Sequence, residues 1–324
     1  MTDKKLPNIE HLVLSGAGHG LVSYLGAFSV LIKHKIIDIK KIKTIYGTSA
    51  GSIVSLLILL DIDIDIIVDY AVERPWNEVF NLDNNLINII TDYGICDDTV
   101  MKKIFSPLFS MKDIDINITM IEFYEKTNIE LYFYATELKT FEETELSYKN
   151  TPDLKLLDAV YISSSLPILF KPMVYNTKYY IDGGFINQYP IENILKNIDN
   201  DNTIFGIKNL PEHTFEKFAE LNNYEIQQMK KEDKLYKKEE DANTSESNLN
   251  IITILQTIML NILFKSIEPH KSNLFNELEI KSSGILTVDN LKKTIISYDH
   301  RLELINRAKK EAEDFIKLKY GISL

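Results

Sequence analysis

Cysteine occurs once in this chain, at Cys96, and tryptophan once, at Trp76. A single cysteine excludes an intrachain disulfide and any Cys-x-x-Cys metal site. It also fits a reducing compartment. Without an activating neighbour in the sequence, Cys96 reads as packing rather than as a nucleophile. Basic residues are in deficit too: 36 Lys and Arg against 47 Asp and Glu leave a formal net charge of −11. That balance argues against nucleic acid as the main partner, because a phosphate backbone demands a basic footprint. It argues against long-range attraction to anionic membranes too, though a local basic or apolar patch can still dock on lipid. Long hydrophobic runs are missing. The most apolar stretches, Ile53–Leu60 and Ile251–Phe264, fall short of the ~20 residues that span a bilayer. No apolar signal-peptide core follows Met1–Pro7, and no myristoylation glycine or prenylation cysteine is present. The expectation is a cytoplasmic protein that touches membranes at most peripherally.

What is present is a composition of 45% hydrophobic and 26% charged residues over 324 positions, enough to bury a large core. Glu10–Ser15 reads as a short buried strand. A glycine-rich turn, Gly16–Gly20, follows it, and then an apolar helical pattern through Leu21, Leu25, Phe28 and Leu31. Lys43–Tyr46 repeats the arrangement, running into Gly47–Gly51 and the helix Ser52–Leu60. Two strand–turn–helix units in succession predict an α/β fold with a mainly parallel sheet. Further strands are expected at Ile129–Thr136, Thr144–Tyr148, Met173–Tyr175, Lys178–Ile181 and Thr203–Ile207. Charge crowds and apolar periodicity fades between Glu212 and Asn250. The expected organisation is a catalytic core over 8–210, a charged linker or lid over 211–250, and a helical C-terminal part over 251–324 that packs on the core. Ile251–Phe264 and Ser297–Lys319 are its helices.

Gly47-Thr48-Ser49-Ala50-Gly51 matches G-x-S-x-G between an apolar strand and an apolar helix. A serine on such a turn needs small neighbours and points its hydroxyl out at a helix N-terminus. Ser49 is therefore a candidate nucleophile; the alternative is a tight turn in which it only caps the helix. A nucleophile needs a base and an oxyanion hole. Asp182-Gly183-Gly184 offers a carboxylate at a strand end that another backbone can approach closely, although Asp-Gly-Gly is also a common turn. A Ser-His-Asp triad is the rival arrangement. Its base would be His213, His270 or His300, each in a polar stretch that reads as surface. Gly16–Gly20 lacks the Gly-Lys-Ser/Thr ending of a phosphate loop, and Leu21 stands where a dinucleotide fingerprint wants its last glycine. An oxyanion hole built from backbone N–H groups is the reading that also uses Ser49.

Taken together, these blocks resemble the patatin-like phospholipase family: a glycine-rich loop after the first strand, a nucleophile elbow after the second, and a distant Asp-Gly-Gly. Tyr132–Thr140 (YFYATELKT), Ala159–Pro172 (AVYISSSLPILFKP) and Ile181–Pro190 (IDGGFINQYP) extend the likeness over roughly Glu10–Ile207. The resemblance implies a three-layer α/β/α fold and a Ser–Asp dyad, with Ser49 as nucleophile and Asp182 as base. The backbone N–H groups of Ala17, Gly18 and His19 would form the oxyanion hole, His19 serving through its backbone. It implies hydrolysis of fatty-acyl esters of phospholipids or other lipids through an acyl-enzyme, with no metal and no cofactor. One departure stands out: Gly20 occupies the place where the family loop often has a basic residue, and Leu21 replaces its last glycine. That departure is what favours the alternative of a catalytically impaired lipid-binding or scaffold protein on the same fold. An esterase or acyltransferase on this scaffold is the other alternative.

Overall fold

The computed structural model describes residues 6–80, 93–211, 258–259, 262–263, 272–282 and 288–322. Ten strands are present among them. They are β1 (His11–Leu14), β2 (Thr44–Thr48), β3 (Gly94–Cys96), β4 (Glu130–Glu137), β5 (Glu142–Ser147), β6 (Ile168–Phe170), β7 (Met173–Tyr175), β8 (Lys178–Asp182), β9 (Ile204–Pro211) and β10 (Glu277–Ser282). The helices are α1 (Leu21–Lys33), α2 (Ala50–Leu59), α3 (Ile64–Glu73), α4 (Trp76–Val79), α5 (Thr99–Met111), α6 (Met120–Thr127), α7 (Leu156–Ser163), α8 (Ile191–Asn197), α9 (Val288–Ile296) and α10 (Tyr298–Tyr320).

The central sheet runs β10-β9-β1-β2-β4, all parallel, and β5, β7 and β8 join it antiparallel. β1 and β2 are buried along their whole length, as parallel strands covered on both faces must be. Alternation divides their side chains between two cores. Leu12 and Leu14 join the large core under α1, α2, α3 and α10, whereas Val13 and Tyr46 face Tyr132, Tyr134, Ile191 and Ile194 on the side of α8. The result is the expected helix–sheet–helix sandwich. α1 and α10 cross closely, for a Cβ on Gly26 would stand 2.5 Å from the Ile305 carbonyl oxygen.

The registers around β4 decide which strand ends meet. β5 pairs with Tyr132–Glu137 along one edge. β2 is registered to Glu130–Tyr134 and β8 to Ala135–Glu137, so these two strands share the other edge. Running in opposite directions, β2 and β8 meet end to end at the boundary between Tyr134 and Ala135. Ser49 follows the last residue of β2, and Asp182 is the last residue of β8.

Three strands escaped the sequence reading. β3 and β6 have three residues each and pair only with one another. β10 lies inside the part expected to be helical; its alternation of Leu278 and Ile280 inward with Glu279 and Lys281 outward places it beside β9. A second correction concerns His300, expected at the surface, which is buried at the start of α10. The charged stretch 212–250, His213 and His270 lie outside the described residues, as does most of Ile251–Phe264.

Candidate active site

Ser49 sits between β2 and α2 with φ 53° and ψ −121°, a strained conformation for a residue with a side chain. Three contacts hold it there. Its N–H donates to Ser163 Oγ at 3.0 Å, and that hydroxyl donates to the Tyr134 carbonyl at 2.7 Å. Tyr134 is the last residue of β4 paired with β2, so Ser163 occupies the junction where β2 has ended and β8 has not begun. Thr48 Oγ1 donates to the Asn187 carbonyl at 2.9 Å, tying the end of β2 to the loop after β8. On the helix side Gly51 passes so near β1 that a Cβ would stand 2.3 Å from the Leu14 carbonyl oxygen. Gly47 lies in β2 opposite Leu14 and Phe133.

Ser49 Oγ donates to Asp182 Oδ2 at 2.6 Å, with no imidazole between them. The other carboxylate oxygen, Oδ1, accepts the Gly184 N–H at 2.7 Å. Asp182 is anchored by its backbone as well, its N–H to the Ser165 carbonyl and its carbonyl to Thr136 Oγ1. Gly183 allows the turn, since a Cβ there would lie 2.1 Å from the Tyr134 carbonyl oxygen. Burial pushes the Asp182 carboxyl up to about 6; the hydrogen bonds from Ser49 and Gly184 pull the other way.

The glycine-rich loop arrives from β1. Gly16 N–H donates to the Gln188 carbonyl, and Gly20 N–H closes a turn onto the Ala17 carbonyl. Gly18 to Gly20 form a single helical turn with His19 buried. Among the described residues the amides of Ala17 and Gly18 have no acceptor, and neither has the amide of Ala50 at the start of α2. Ala17, Gly18, His19, Ser49, Ala50 and Asp182 all border one cavity of about 200 Å³, whose remaining wall is mostly apolar. Leu21, Leu25, Leu57, Ile104 and Leu166 lie along it. This arrangement sets a hydroxyl bonded to a buried carboxylate, and amides without acceptors, beside a mostly apolar slot.

Two residues that the sequence reading passed over belong to the arrangement. Ser163 is one, hidden among three consecutive serines. The other is Gln188, whose carboxamide fills the gap between Gly16 and Gly184 and borders the cavity. Cys96 is buried in β3, and burial pushes its thiol up to about 11. Among the described residues no helix is long and apolar enough to cross a membrane.

Comparison with known proteins places the chain. The protein described as "Probable lipid hydrolase 463L" of Invertebrate iridescent virus 6 is 28% identical over 306 residues, covering 88% of this chain and 91% of that one. Protein R571 of Acanthamoeba polyphaga mimivirus is 28% identical over 204 residues, 59% and 63% of the two chains. Among solved structures, VipD from Legionella pneumophila has a TM-score of 0.46 at 16% identity, covering 93% of this chain and 67% of its own. ExoU from Pseudomonas aeruginosa, in its complex with SpcU, also has a TM-score of 0.46, at 12% identity, with 98% and 53% covered. The family model for patatin-like phospholipases matches residues 12–195, which hold the glycine loop, the elbow and Asp182. The chain belongs to the patatin-like phospholipase family.

Proposed function

We propose that this protein is a lipid acyl hydrolase of the phospholipase A type, working through Ser49 and Asp182. The observation that carries the reading is the 2.6 Å contact between the Ser49 hydroxyl and a buried carboxylate whose second oxygen is pinned by Gly184. As Ser49 Oγ attacks the acyl carbonyl carbon, its proton passes to Asp182 Oδ2. Negative charge gathers on the former carbonyl oxygen; the oxyanion hole that the family resemblance implies, the backbone of Ala17, Gly18 and His19, would stabilise it, and the unbonded amides of Ala17 and Gly18 support that reading. The ester C–O bond then breaks, and Asp182 returns the proton to the departing alkoxide. Water enters, gives a proton to Asp182 and attacks the acyl-serine. Fatty acid leaves, and the proton goes back to Ser49 Oγ. A carboxylate held near 6 is ionised at neutral pH yet more basic than an ordinary one, as a general base should be. The apolar cavity takes the acyl chain, and the reaction as written uses no cofactor.

A fluorophosphonate probe tests this directly. Wild-type protein should be labelled at Ser49 and lose phospholipid hydrolysis as labelling proceeds, and Ser49→Ala should be neither labelled nor active. Hydrolysis that survives in Ser49→Ala would overturn the assignment, and an unlabelled, inactive wild type would leave a binding protein on this fold.

A further inference from the structure

The cavity wall does not end at the cavity. Leu166 and Leu263, which border it, also pack with Ile181 and Phe185 in a small separate cluster. Phe185 meets the ring of Phe141 at 6.3 Å, edge to face, and Phe141 is exposed. Along the sheet the apolar surface continues. Side chains alternate in β8, so Tyr179 stands on the same face as Ile181. Val174 is its direct partner in β7, and Leu138 donates its N–H to the Tyr179 carbonyl just beyond the end of β4. Val174 and Tyr179 are 52% and 55% exposed, and Leu138 is also open. An apolar strip thus runs from the slot beside Ser49 out to the β7–β8 hairpin, where it faces solvent with nothing among the described residues covering it.

The charge on this hairpin departs from that of the chain. From Lys171 to Ile181 there are two lysines, Lys171 and Lys178, and no carboxylate, although acidic residues outnumber basic ones 47 to 36 overall. Lys139 is exposed on the neighbouring β4–β5 turn. The carboxylate of Glu137 beside it is turned inward, accepting the N–H groups of Lys139 and Thr140 and the Thr140 hydroxyl. Glu142 and Glu143, on the far side of that turn, are exposed acidic neighbours, and Glu143 accepts the carboxamide N–H groups of Asn187 and Asn193. Apolar tips ringed by lysines suit the boundary between acyl chains and phosphate head groups, where Tyr and Lys side chains can sit with an apolar stem buried and a polar end wet.

We propose that the β7–β8 hairpin and the β4–β5 turn form the face by which this protein docks on a phospholipid bilayer. Leu138, Phe141, Val174 and Tyr179 enter the interface, and Lys139 and Lys178 meet the phosphates. This placement rests on the lipase reading above and deepens it: docking would put the outer end of the apolar strip in the lipid and its inner end at Ser49.

The test uses full-length protein, vesicles of phosphatidylcholine alone or with a quarter phosphatidylglycerol, and a short-chain soluble ester. Val174→Asp with Tyr179→Asp should lower vesicle co-flotation and vesicle-lipid hydrolysis by about tenfold or more. Turnover of the soluble ester should stay at the wild-type level, which shows the variant to be folded. Lys139→Glu with Lys178→Glu should weaken binding to the phosphatidylglycerol vesicles more than to phosphatidylcholine alone. Wild-type flotation and vesicle hydrolysis in the Val174→Asp, Tyr179→Asp variant would overturn the proposal. So would a concentration-dependent dimer that the same substitutions abolish, since the strip would then be covered by a second copy. Ser49→Ala separates the two readings. If it still floats through the same residues while the wild type hydrolyses no lipid, docking stands and the lipase reading falls.

Discussion

Two charged groups border the same cavity, and the protein treats them in opposite ways. Asp182 and Arg301 are both buried. Arg301 has all five of its donors placed: Nε and Nη2 on the Val72 carbonyl, Nη1 on those of Thr294 and Ile295, and Nη2 reaching Arg74 as well. Val72 lies in the last turn of α3, and Thr294 and Ile295 in the last turn of α9. These are carbonyls that a helix end leaves without partners, at the negative pole of the helix dipole. Among the described residues Arg301 has no carboxylate partner, yet its charge is met on every side. Asp182 receives two donors, Ser49 and Gly184, for about four acceptor positions. The fully met charge joins helices; the half-met one keeps an appetite for a proton. Both side chains are nearly closed to solvent, and what most plainly distinguishes them is the number of partners supplied; on the reading proposed above, the under-supplied group is the base.

Asp182→Asn should break the contrast most sharply. Hydrolysis should fall by on the order of 10³–10⁴, since the proposed mechanism loses its base. In the wild type, kcat/KM should fall below pH 6 by about tenfold per unit, and level off above it, following the carboxyl at about 6. Stability moves the other way. The folded-state value lies above the ordinary 3.8, so between these limits the folded protein binds more protons than the unfolded chain and loses stability as pH rises. The asparagine variant lacks that loss. Urea unfolding at pH 8 should find it more stable by about 1–3 kcal/mol, with no difference carried by this group at pH 3. Equal stability at pH 8 would mean that the charge is better met than its two donors suggest.

Arg301→Met should act in reverse. Stranding several buried carbonyls should cost about 3 kcal/mol of stability, read from the same unfolding experiment, whereas the turnover per folded molecule should survive. Smaller again is the effect expected of Ser163→Ala, which leaves the Ser49 N–H and the Tyr134 carbonyl without their shared partner. We expect about a tenfold fall in kcat with KM and the pH inflection unchanged, and recovery in Ser163→Thr. A loss confined to KM would show that Ser163 shapes the cavity rather than the elbow.

The parts of this arrangement legible in the sequence are those written locally. An apolar strand, small residues and an apolar helix announce the elbow around Ser49, and the same grammar announces the Gly16–Gly20 loop. Asp182 could be singled out because two glycines follow it. Ser163 and Gln188 carry no such mark: each acts across the fold, on a backbone far away in the chain. β3 and β6 are too short for a periodic pattern. β10 was legible in principle, since ELEIKS alternates cleanly over Glu277–Ser282, but a lone strand among helical segments lends itself to the wrong grouping. His300 was misplaced for a related reason: its polar sequence neighbours do not reveal that the first turn of α10 packs inward.

The end-to-end meeting of β2 and β8 along one edge of β4 has a temporal side. A chain is made from its N-terminus, and Asp182 arrives 133 positions after Ser49. Until then, on the proposed mechanism, the serine has no base, however well its turn is shaped. On the mechanism proposed above, ester cleavage therefore waits until both strand ends have been made and brought together.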